Sequence, residues 1–121
     1  MADELGRPKG FVAVRNMRTL QLLGDRIQVA DSFWLRFRGL MGTARLEPGE
    51  GMLFPRTNSI HMFFMRYPLT IVYLSKDMKV LRSVVVKPWR VGPVVLRAQW
   101  VLELPDGCQE NINKGDMLSI E

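Results

Sequence analysis

The chain has 121 residues, of which 47% are apolar and 24% charged, and its formal net charge is +5. This length and composition are those of one globular domain with its own core, and they exclude an intrinsically disordered chain. The single Cys108 excludes an intrachain disulfide, and one cysteine with one histidine is too few for a structural zinc site.

Residues 1–10 contain two acids, a proline and a glycine but no apolar segment, so a secretory signal is not expected there. We interpret them as a flexible lead-in to a single domain at 11–121. The apolar runs are far shorter than the roughly 20 residues of a membrane-spanning helix. A cytoplasmic protein without a membrane partner is therefore predicted.

Alternating apolar residues on both sides of Gly24-Asp25 predict an N-terminal β-hairpin, because glycine tolerates the positive φ of a two-residue turn. Asp31-Ser32 then offers side-chain oxygens that can cap a helix. The apolar residues that follow recur at the spacing of one helical face, and Gly42 suits a helix end. We predict one short α-helix at about 32–41.

After a loop rich in glycine and proline at 47–51, the chain changes to short apolar segments separated by prolines and turn residues. The predicted strands are Met52–Phe54, Ile60–Met65, Leu69–Leu74, Val80–Val86, Val101–Leu104 and Met117–Ile120. Turns are predicted at 75–78, 105–107 and 113–116. Strands at this density predict a mainly β fold, a small antiparallel barrel or sandwich with the helix over one end or face.

Several short motifs follow one another in a defined order along the chain. They are Arg38–Gly42 (RGLMG), Gly51–Phe54 (GMLF), His61–Met65 (HMFFM) and Val101–Gly107 (VLELPDG). With these motifs the chain resembles domain-of-unknown-function family 192, from about Val14 to Ile120. The resemblance implies a compact β-rich domain with one helix after the first hairpin, and no established activity.

One position departs from the pattern of that family. Its members usually have an Asp after the central Pro-Leu, where this chain has Thr70. If the carboxylate is functional in the family, this chain lacks it or uses the threonine hydroxyl. A structural role is the alternative, because a short polar side chain at a strand start can bond a neighbouring backbone group.

The positive charge is concentrated in the middle of the chain. Residues 56–97 contain eight basic residues and one acidic residue, whereas residues 98–121 contain one basic and five acidic residues. Such a basic block can meet an anionic partner, although solvated strand faces produce the same count and are the favoured interpretation. A carboxylate or phosphate ligand would fit if these side chains converge: Arg56, Arg66, Arg82, Lys87 and Arg90.

His61, the only histidine, lies in the apolar stretch SIHMFFMRYP. It can pack in or beside the core, line a binding groove or act as a general base, and the first is favoured. A base also needs an orienting carboxylate, and no GxSxG, HExxH or glycine-rich phosphate loop accompanies it. Glu103 lies within an apolar strand and needs a partner if it is buried, either His61 or an arginine of the basic block.

Two further segments have weaker alternatives. Trp89 and Trp100 enclose a basic loop, as in β-barrels that bind single-stranded nucleic acid. The segment 106–116 carries several oxygen donors but lacks the spacing of a calcium loop, so a turn-rich connection is favoured. Cys108 is flanked by acids rather than by cations that would activate a thiolate, and it is interpreted as an ordinary turn residue.

The first functional prediction is a non-enzymatic binding module for a peptide, a small anionic ligand or a protein partner. Its groove is lined by His61, Arg66, Trp89 and Glu103, because isolated polar groups among aromatic residues are the usual anatomy of a small site. The alternatives are a hydrolase-type enzyme centred on His61 and single-stranded nucleic-acid binding through the basic block. No catalytic residue, metal ligand or cofactor is predicted, and the oligomeric state is left open.

Overall fold

A computed structural model describes residues 10–32, 39–40 and 44–121. The strands in this part of the chain are β1 (Phe11–Asn16), β2 (Leu22–Val29), β3 (Glu50–Pro55), β4 (Leu69–Leu74), β5 (Val80–Val86), β6 (Trp100–Pro105) and β7 (Leu118–Ile120). They form one sheet in the order β5-β4-β6-β3-β2-β1-β7. The predicted mainly β fold is confirmed.

The sheet curls into a half-barrel whose two end strands approach each other at one point. Lys79, just before β5, forms an antiparallel bridge with Met117, just before β7. The amide of Val80 also donates to the carbonyl of Asp116, with N and O 2.7 Å apart. Within the described part of the chain, no helix has the length and hydropathy needed to cross a membrane.

Strands β2 and β3 run parallel, whereas all other neighbouring strands are antiparallel. A parallel pair needs a long crossover between its strands, and here the crossover is the segment between Val29 and Glu50. The helix predicted at 32–41 falls in this crossover. Except for residues 32, 39 and 40, it lies outside the described residues.

The N-terminal hairpin forms from β1 and β2, but the turn predicted at Gly24-Asp25 is wrong. The chain reverses at 17–21, and Gly24 and Asp25 lie inside β2, where the register with β1 shifts. The amides of Asp25 and Arg26 both donate to the carbonyl of Gly49, at N–O distances of 3.1 and 2.8 Å. A Cβ atom on Gly24 would lie 2.9 Å from that carbonyl oxygen. The glycine therefore permits a close backbone approach rather than a turn.

Five of the six strands predicted after residue 51 are confirmed as β3 to β7, whereas the strand predicted at Ile60–Met65 is wrong. This segment contains a single bridge, between His61 and Val91, and a turn in which the Met65 amide donates to the carbonyl of Met62. Phe64 has a left-handed backbone conformation with a φ of 66°. That conformation cannot continue an extended strand, although the residue type favours one.

The core has two parts, one on each face of the sheet. Every strand contributes to the part inside the curl, which includes Val14, Ile27, Leu53, Val72, Val80, Leu102 and Leu118. The part on the outer face includes Met52, Phe54, Ile71, Tyr73 and Val101, and the loop residues Met62, Met65 and Ala98 pack against them. The loops 56–68 and 87–99 therefore cover the outer face.

Thr70, where the family pattern has an acid, is buried at the start of β4. Its hydroxyl donates to Oε1 of Gln109, with 2.6 Å between the two oxygens. The same amide oxygen accepts the backbone N–H of Gly107 at 2.8 Å. The hydroxyl thus connects β4 to the short 3-10 helix Cys108–Asn111, which is a structural contact.

Candidate functional site

The candidate site lies where the loops 56–68 and 87–99 cross on the outer face of the sheet. The amide of Met62 donates to the carbonyl of Arg90, and the amide of Trp89 donates to the carbonyl of Met62, both at 2.7 Å. The amide of Gly92 donates to the carbonyl of Ile60 at 2.9 Å. These bonds hold the two loops together over the buried side chain of Met62.

Four rings come together above this crossing, and we call them the aromatic surface: His61, Phe63, Phe64 and Trp89. The ring centroids of His61 and Phe63 are 5.0 Å apart, those of Phe63 and Trp89 6.2 Å, and those of Phe64 and Trp89 4.9 Å. Phe64 is 62% exposed and Trp89 58% exposed. A cluster of large exposed rings is uncommon on a soluble domain and marks contact surfaces.

Two of these exposed rings belong to residues with a strained backbone. Phe64 and Trp89 have φ angles of 66° and 65°, in the left-handed region that bulky residues rarely adopt. Each such residue costs about 1–2 kcal/mol. Hydrogen bonds from the amide of Trp89 to the carbonyl of Met62 and from the amide of Met65 to the same carbonyl lie beside these two residues.

A shallow cavity of about 440 Å³ lies between β5 and the loop that follows it. We call it the basic cleft; it is lined by Arg82, Val84, Val85, Val86, Lys87, Arg90, Val91 and Pro93. Arg82 and Val84 project from the outer face of β5, because they pair with the core residues Tyr73 and Ile71 of β4. None of the described residues that line this cavity is acidic.

The charges of the basic cleft are available to a ligand. Within the described ranges, Arg82, Lys87 and Arg90 form no ion pair. Neighbouring cations without an acid produce a positive potential that attracts anions, and guanidinium groups bind carboxylates and phosphates through paired N–H donors. The valines and Pro93 add an apolar wall to this positive field.

The wall of the cleft is anchored to the sheet by a tyrosine. The hydroxyl of Tyr73 donates to the carbonyl of Pro93, with 2.7 Å between the oxygens. Burial raises the pKa of Tyr73 to about 12, and the nearby Arg82 lowers it in part. The phenol therefore stays protonated and keeps donating at all ordinary pH values.

The structure brings two of the four predicted site residues together and separates the others. His61 and Trp89, which are 28 positions apart in the chain, both belong to the aromatic surface. Arg66 is exposed just beyond the same loop turn. Glu103 is only 5% exposed and lies on β6 opposite Met52 of β3, inside the outer-face core.

Glu103 has an environment that disfavours its charge. Burial raises its pKa to about 8, so the carboxyl group is protonated at neutral pH. The predicted ion pair with His61 or an arginine of the basic block is not found among the described residues. The role of the four residues in ligand binding stays a prediction.

His61 is exposed, and its imidazole is oriented by the backbone. Nδ1 accepts the N–H of Phe63 at 3.3 Å, and the ring stacks on the ring of Phe63. Of the favoured sequence interpretation, a histidine hydrogen-bonded in or beside the core, this exposure excludes only a position inside the core.

The sequence-based site omitted Phe63 and Phe64, although an available signal pointed to them. Adjacent residues of a strand face opposite sides, so two consecutive phenylalanines in a half-buried segment leave one ring in solvent. The basic residues of the cleft were recognised as able to converge, and three of them do, namely Arg82, Lys87 and Arg90. Arg56 instead lines a separate small depression near Asn58 and Gln99.

A second polar group, which we call the Asp116 cluster, lies at the junction of β1 with the turn before β7. Oδ1 of Asp116 accepts from Nε of Arg18 at 2.7 Å. Oδ2 accepts from Nδ2 of Asn16 and from the amide of Asn113, both at 2.9 Å. The hydrogen bond from Arg18 is the main reason that the pKa of Asp116 is lowered to about 2.

The Asp116 cluster accounts for much of the oxygen-rich segment 106–116, because its carboxylate already accepts three protein donors. In the described ranges, no three side chains of the His, Cys, Asp or Glu type gather as a metal site would require. Burial raises the pKa of the Cys108 thiol, and Asp106 raises it further. The polar groups of the Asp116 cluster thus bond to other groups of the protein and do not form a ligand site.

Residues 14–120 match the model of domain-of-unknown-function family 192, described as Uncharacterized ACR. The UPF0127 protein PH1112 of Pyrococcus horikoshii is 34% identical over 105 residues, which is 82% of this chain and 88% of that protein. A UPF0127 protein of Thermococcus sibiricus is 34% identical over 92 residues, 73% of this chain. The chain spans 60% of the length of that relative and 64% of the UPF0127 protein TK1120 of Thermococcus kodakarensis.

Two solved structures share the fold. A protein of unknown function from Novosphingobium aromaticivorans DSM 12444 matches with a TM-score of 0.76 and 22% identity, over 98% of this chain and 91% of that one. A protein from Sinorhizobium meliloti 1021 matches with a TM-score of 0.65 and 19% identity, over 90% and 91% of the two chains. At these identities the similarity concerns the fold alone.

Proposed function

The chain belongs to domain-of-unknown-function family 192, and we propose that this member is a binding module for an anionic ligand or partner. The ligand lies in the basic cleft, and its apolar part covers the aromatic surface. The observation that carries the proposal is a cleft with three cations that form no ion pair with a described residue, two of which are close in the chain to the exposed ring of Trp89. Trp89 lies between Lys87 and Arg90 in the chain and joins the two surfaces.

The energies of such contacts are sufficient for a specific complex. A hydrogen bond to a charged group contributes about 1.5–3 kcal/mol, and apolar area removed from water contributes about 25 cal/mol per Å². Phe and Trp side chains have only two rotatable bonds, so covering these rings costs little conformational entropy. The strain at Phe64 and Trp89 is consistent with this, since strained residues gather at binding sites.

Binding is better supported than hydrolysis at His61. The imidazole receives its orienting hydrogen bond from the amide of Phe63, whereas a general base needs an acidic partner that raises its basicity and fixes its tautomer. The neighbours of the ring are Phe63 and, beyond it, Trp89. His61 acts in this proposal as a flat contact surface.

The test is a titration with anionic probes of different shape: inorganic phosphate, benzoate, a glutamate-rich peptide and an oligothymidylate, followed by calorimetry at low and high salt. We expect at least one probe to bind and its affinity to fall with salt. The triple variant Arg82→Ala/Lys87→Ala/Arg90→Ala should lose at least about tenfold in affinity, which is about 1.4 kcal/mol.

The matched control for this experiment is Lys76→Ala/Lys79→Ala/Lys114→Ala, which removes the same number of exposed charges away from the cleft. It should bind as the unaltered protein does. Binding of none of the four probes at low salt, or an equal loss in both triple variants, would contradict the proposal.

Single-stranded nucleic acid is the second candidate, and the exposed indole of Trp89 beside Arg90 favours it. Bases stack on such rings while arginines meet phosphates, and the affinity then depends steeply on salt. The titration with oligothymidylate tests whether the protein binds single-stranded nucleic acid. Binding that is lost in Trp89→Ala and falls linearly with the logarithm of the salt concentration would select this candidate.

A further inference from the structure

The basic cleft runs along an open edge of the sheet. β5 is the first strand in the sheet order, and β4 is its ladder partner. The bridge between Lys79 and Met117 covers the beginning of this edge. From Arg82 to Val86, no described strand pairs with the other side of β5, so within the described part of the chain its outward N–H and C=O groups are open to a further strand.

We propose that an extended acidic peptide segment of a partner protein adds to this edge as a further strand, with its carboxylates against the basic cleft. This inference rests on the proposed function and names its ligand class. The backbone of the peptide bonds the free edge of β5, while alternate side chains face the cleft and the aromatic surface, the usual mode of strand addition.

The register of β5 explains why acidic and apolar residues should alternate in the peptide. Arg82, Val84 and Val86 share the outer face, because they pair with residues of β4 that belong to the outer-face core. A strand added beside them places every second side chain on that face. In a peptide of alternating acidic and apolar residues, the acids would then lie on the outer face beside Arg82 and the apolar residues on the opposite face beside Val85, and each such pair would contribute about 0.2–1 kcal/mol through cross-strand contact.

Charge also selects against a second copy of this chain as the occupant. Pairing two β5 edges would bring Arg82 and Lys87 of one copy near the same residues of the other, and like charges across strands repel. Val85 at this edge is 39% exposed, so the edge offers apolar surface to an added strand. The cations on the same edge repel the β5 edge of a second copy. An acidic strand satisfies both conditions.

The decisive probe is a short peptide of alternating glutamate and valine, compared with the same peptide N-methylated at alternate residues. Hydrogen exchange of the protein is followed by NMR. We expect alternate amides within 82–86 to gain protection with the unmodified peptide. The methylated peptide keeps its charge but loses backbone donors, and its affinity should fall at least about tenfold, or about 1.4 kcal/mol.

Charge reversal adds a second test, in which the variant is expected to gain affinity for a different peptide. A misfolded variant would lose binding but would not gain it. The variant Arg82→Glu/Arg90→Glu should lose the glutamate peptide and acquire affinity for an alternating lysine–valine peptide. The control Lys76→Glu/Lys114→Glu changes the net charge equally at exposed positions outside the cleft, and it should retain the original preference.

The outcomes separate this inference from the proposed function. Equal binding of the methylated peptide, unchanged exchange at 82–86, or binding of the oligothymidylate or of anionic lipid vesicles instead of the peptide would overturn strand addition and leave anion binding in place. Binding of no anionic probe would overturn both.

Discussion

The charged side chains of the Asp116 cluster are paired with one another, whereas those of the basic cleft are not paired with any described residue. In the cluster, the carboxylate of Asp116 accepts from Arg18, Asn16 and Asn113, and its pKa is lowered to about 2. In the cleft, none of the lining residues is acidic, and three cations stand beside one another without an ion pair in the described part of the chain.

The difference separates charges that maintain the fold from charges that are available for contact. The carboxylate of Asp116 accepts four hydrogen bonds from its three partner residues, which occupy its roughly four lone-pair sites, and its loss would leave the donors unsatisfied. The cations of the cleft are exposed and form no ion pair with a described residue, so an incoming anion can bind them in exchange for solvent. The contrast predicts that removing charge destabilises the cluster and leaves the stability of the cleft unchanged.

The largest expected effect concerns Glu103, whose buried carboxyl group forms no ion pair with a described residue. Its pKa is raised to about 8 from an ordinary 4.5, so the folded state retains a proton that the unfolded chain releases. The free energy of unfolding is therefore highest below pH 4.5 and falls toward pH 8, by at most about 1.4 kcal/mol per pH unit. Urea unfolding across this range measures the slope.

Glu103→Gln should remove this pH dependence and be more stable than the unaltered protein at pH 9, because the amide carries no charge to desolvate. Glu110→Gln, at an exposed position, is the matched control and should keep the slope. A slope that persists in Glu103→Gln would assign the buried proton to another group.

Asp116→Ala is expected to lower the free energy of unfolding by about 3 kcal/mol, because it leaves Asn16 and the amide of Asn113 without their acceptor. Chemical denaturation at pH 7 measures the loss. Asp77→Ala removes an exposed carboxylate from the turn before β5 and should change stability by less than about 0.5 kcal/mol. Similar losses in both variants would mean that the cluster is no more than a surface feature.

Acid should weaken the same cluster in the unaltered protein. The pKa of Asp116 is lowered from 3.8 to about 2, so its stabilisation is complete above pH 3.8 and is lost as the pH falls through 2. The expected contribution is about 2 kcal/mol. Comparing acid unfolding of the unaltered protein and of Asp116→Asn isolates it, and identical curves below pH 4 would contradict the assignment.

The smallest effect is expected in the cleft. Arg82→Ala/Lys87→Ala/Arg90→Ala should leave the free energy of unfolding within about 0.5 kcal/mol of its original value, or raise it slightly, because neighbouring like charges repel. Thermal and urea unfolding at low salt measure this. A loss above about 1 kcal/mol would show that these cations maintain the fold and would erase the contrast with the Asp116 cluster.

Sequence reasoning was most successful where a local rule governs the structure. The predicted strands at 69–74 and 80–86, and the turn between them, agree with β4 and β5 because apolar β-formers and turn residues alternate there. It was wrong at Gly24-Asp25 and at 60–65. In both places a distant segment intervenes: Gly49 contacts one, and the loop at 87–92 binds the other.

Only part of the candidate site was predicted from the sequence, because contacts between distant segments determine the rest. Rings and cations can be read from a sequence, but their meeting requires hydrogen bonds such as that from the Met62 amide to the carbonyl of Arg90. Glu103 was assigned to the groove because an acid in an apolar strand stands out in a sequence. Its side chain faces the outer core, which the register of β6 against β3 determines.

The amino-acid pattern alone determined the family, the mainly β class and most of the strands, since these depend on residue type and on spacing along the chain. Only the tertiary structure decided which charges are paired, where the sheet has an open edge and which rings remain in solvent. Those properties arise from contacts between segments far apart in the chain. The free energies of such contacts cannot be read from the residue types of any single segment.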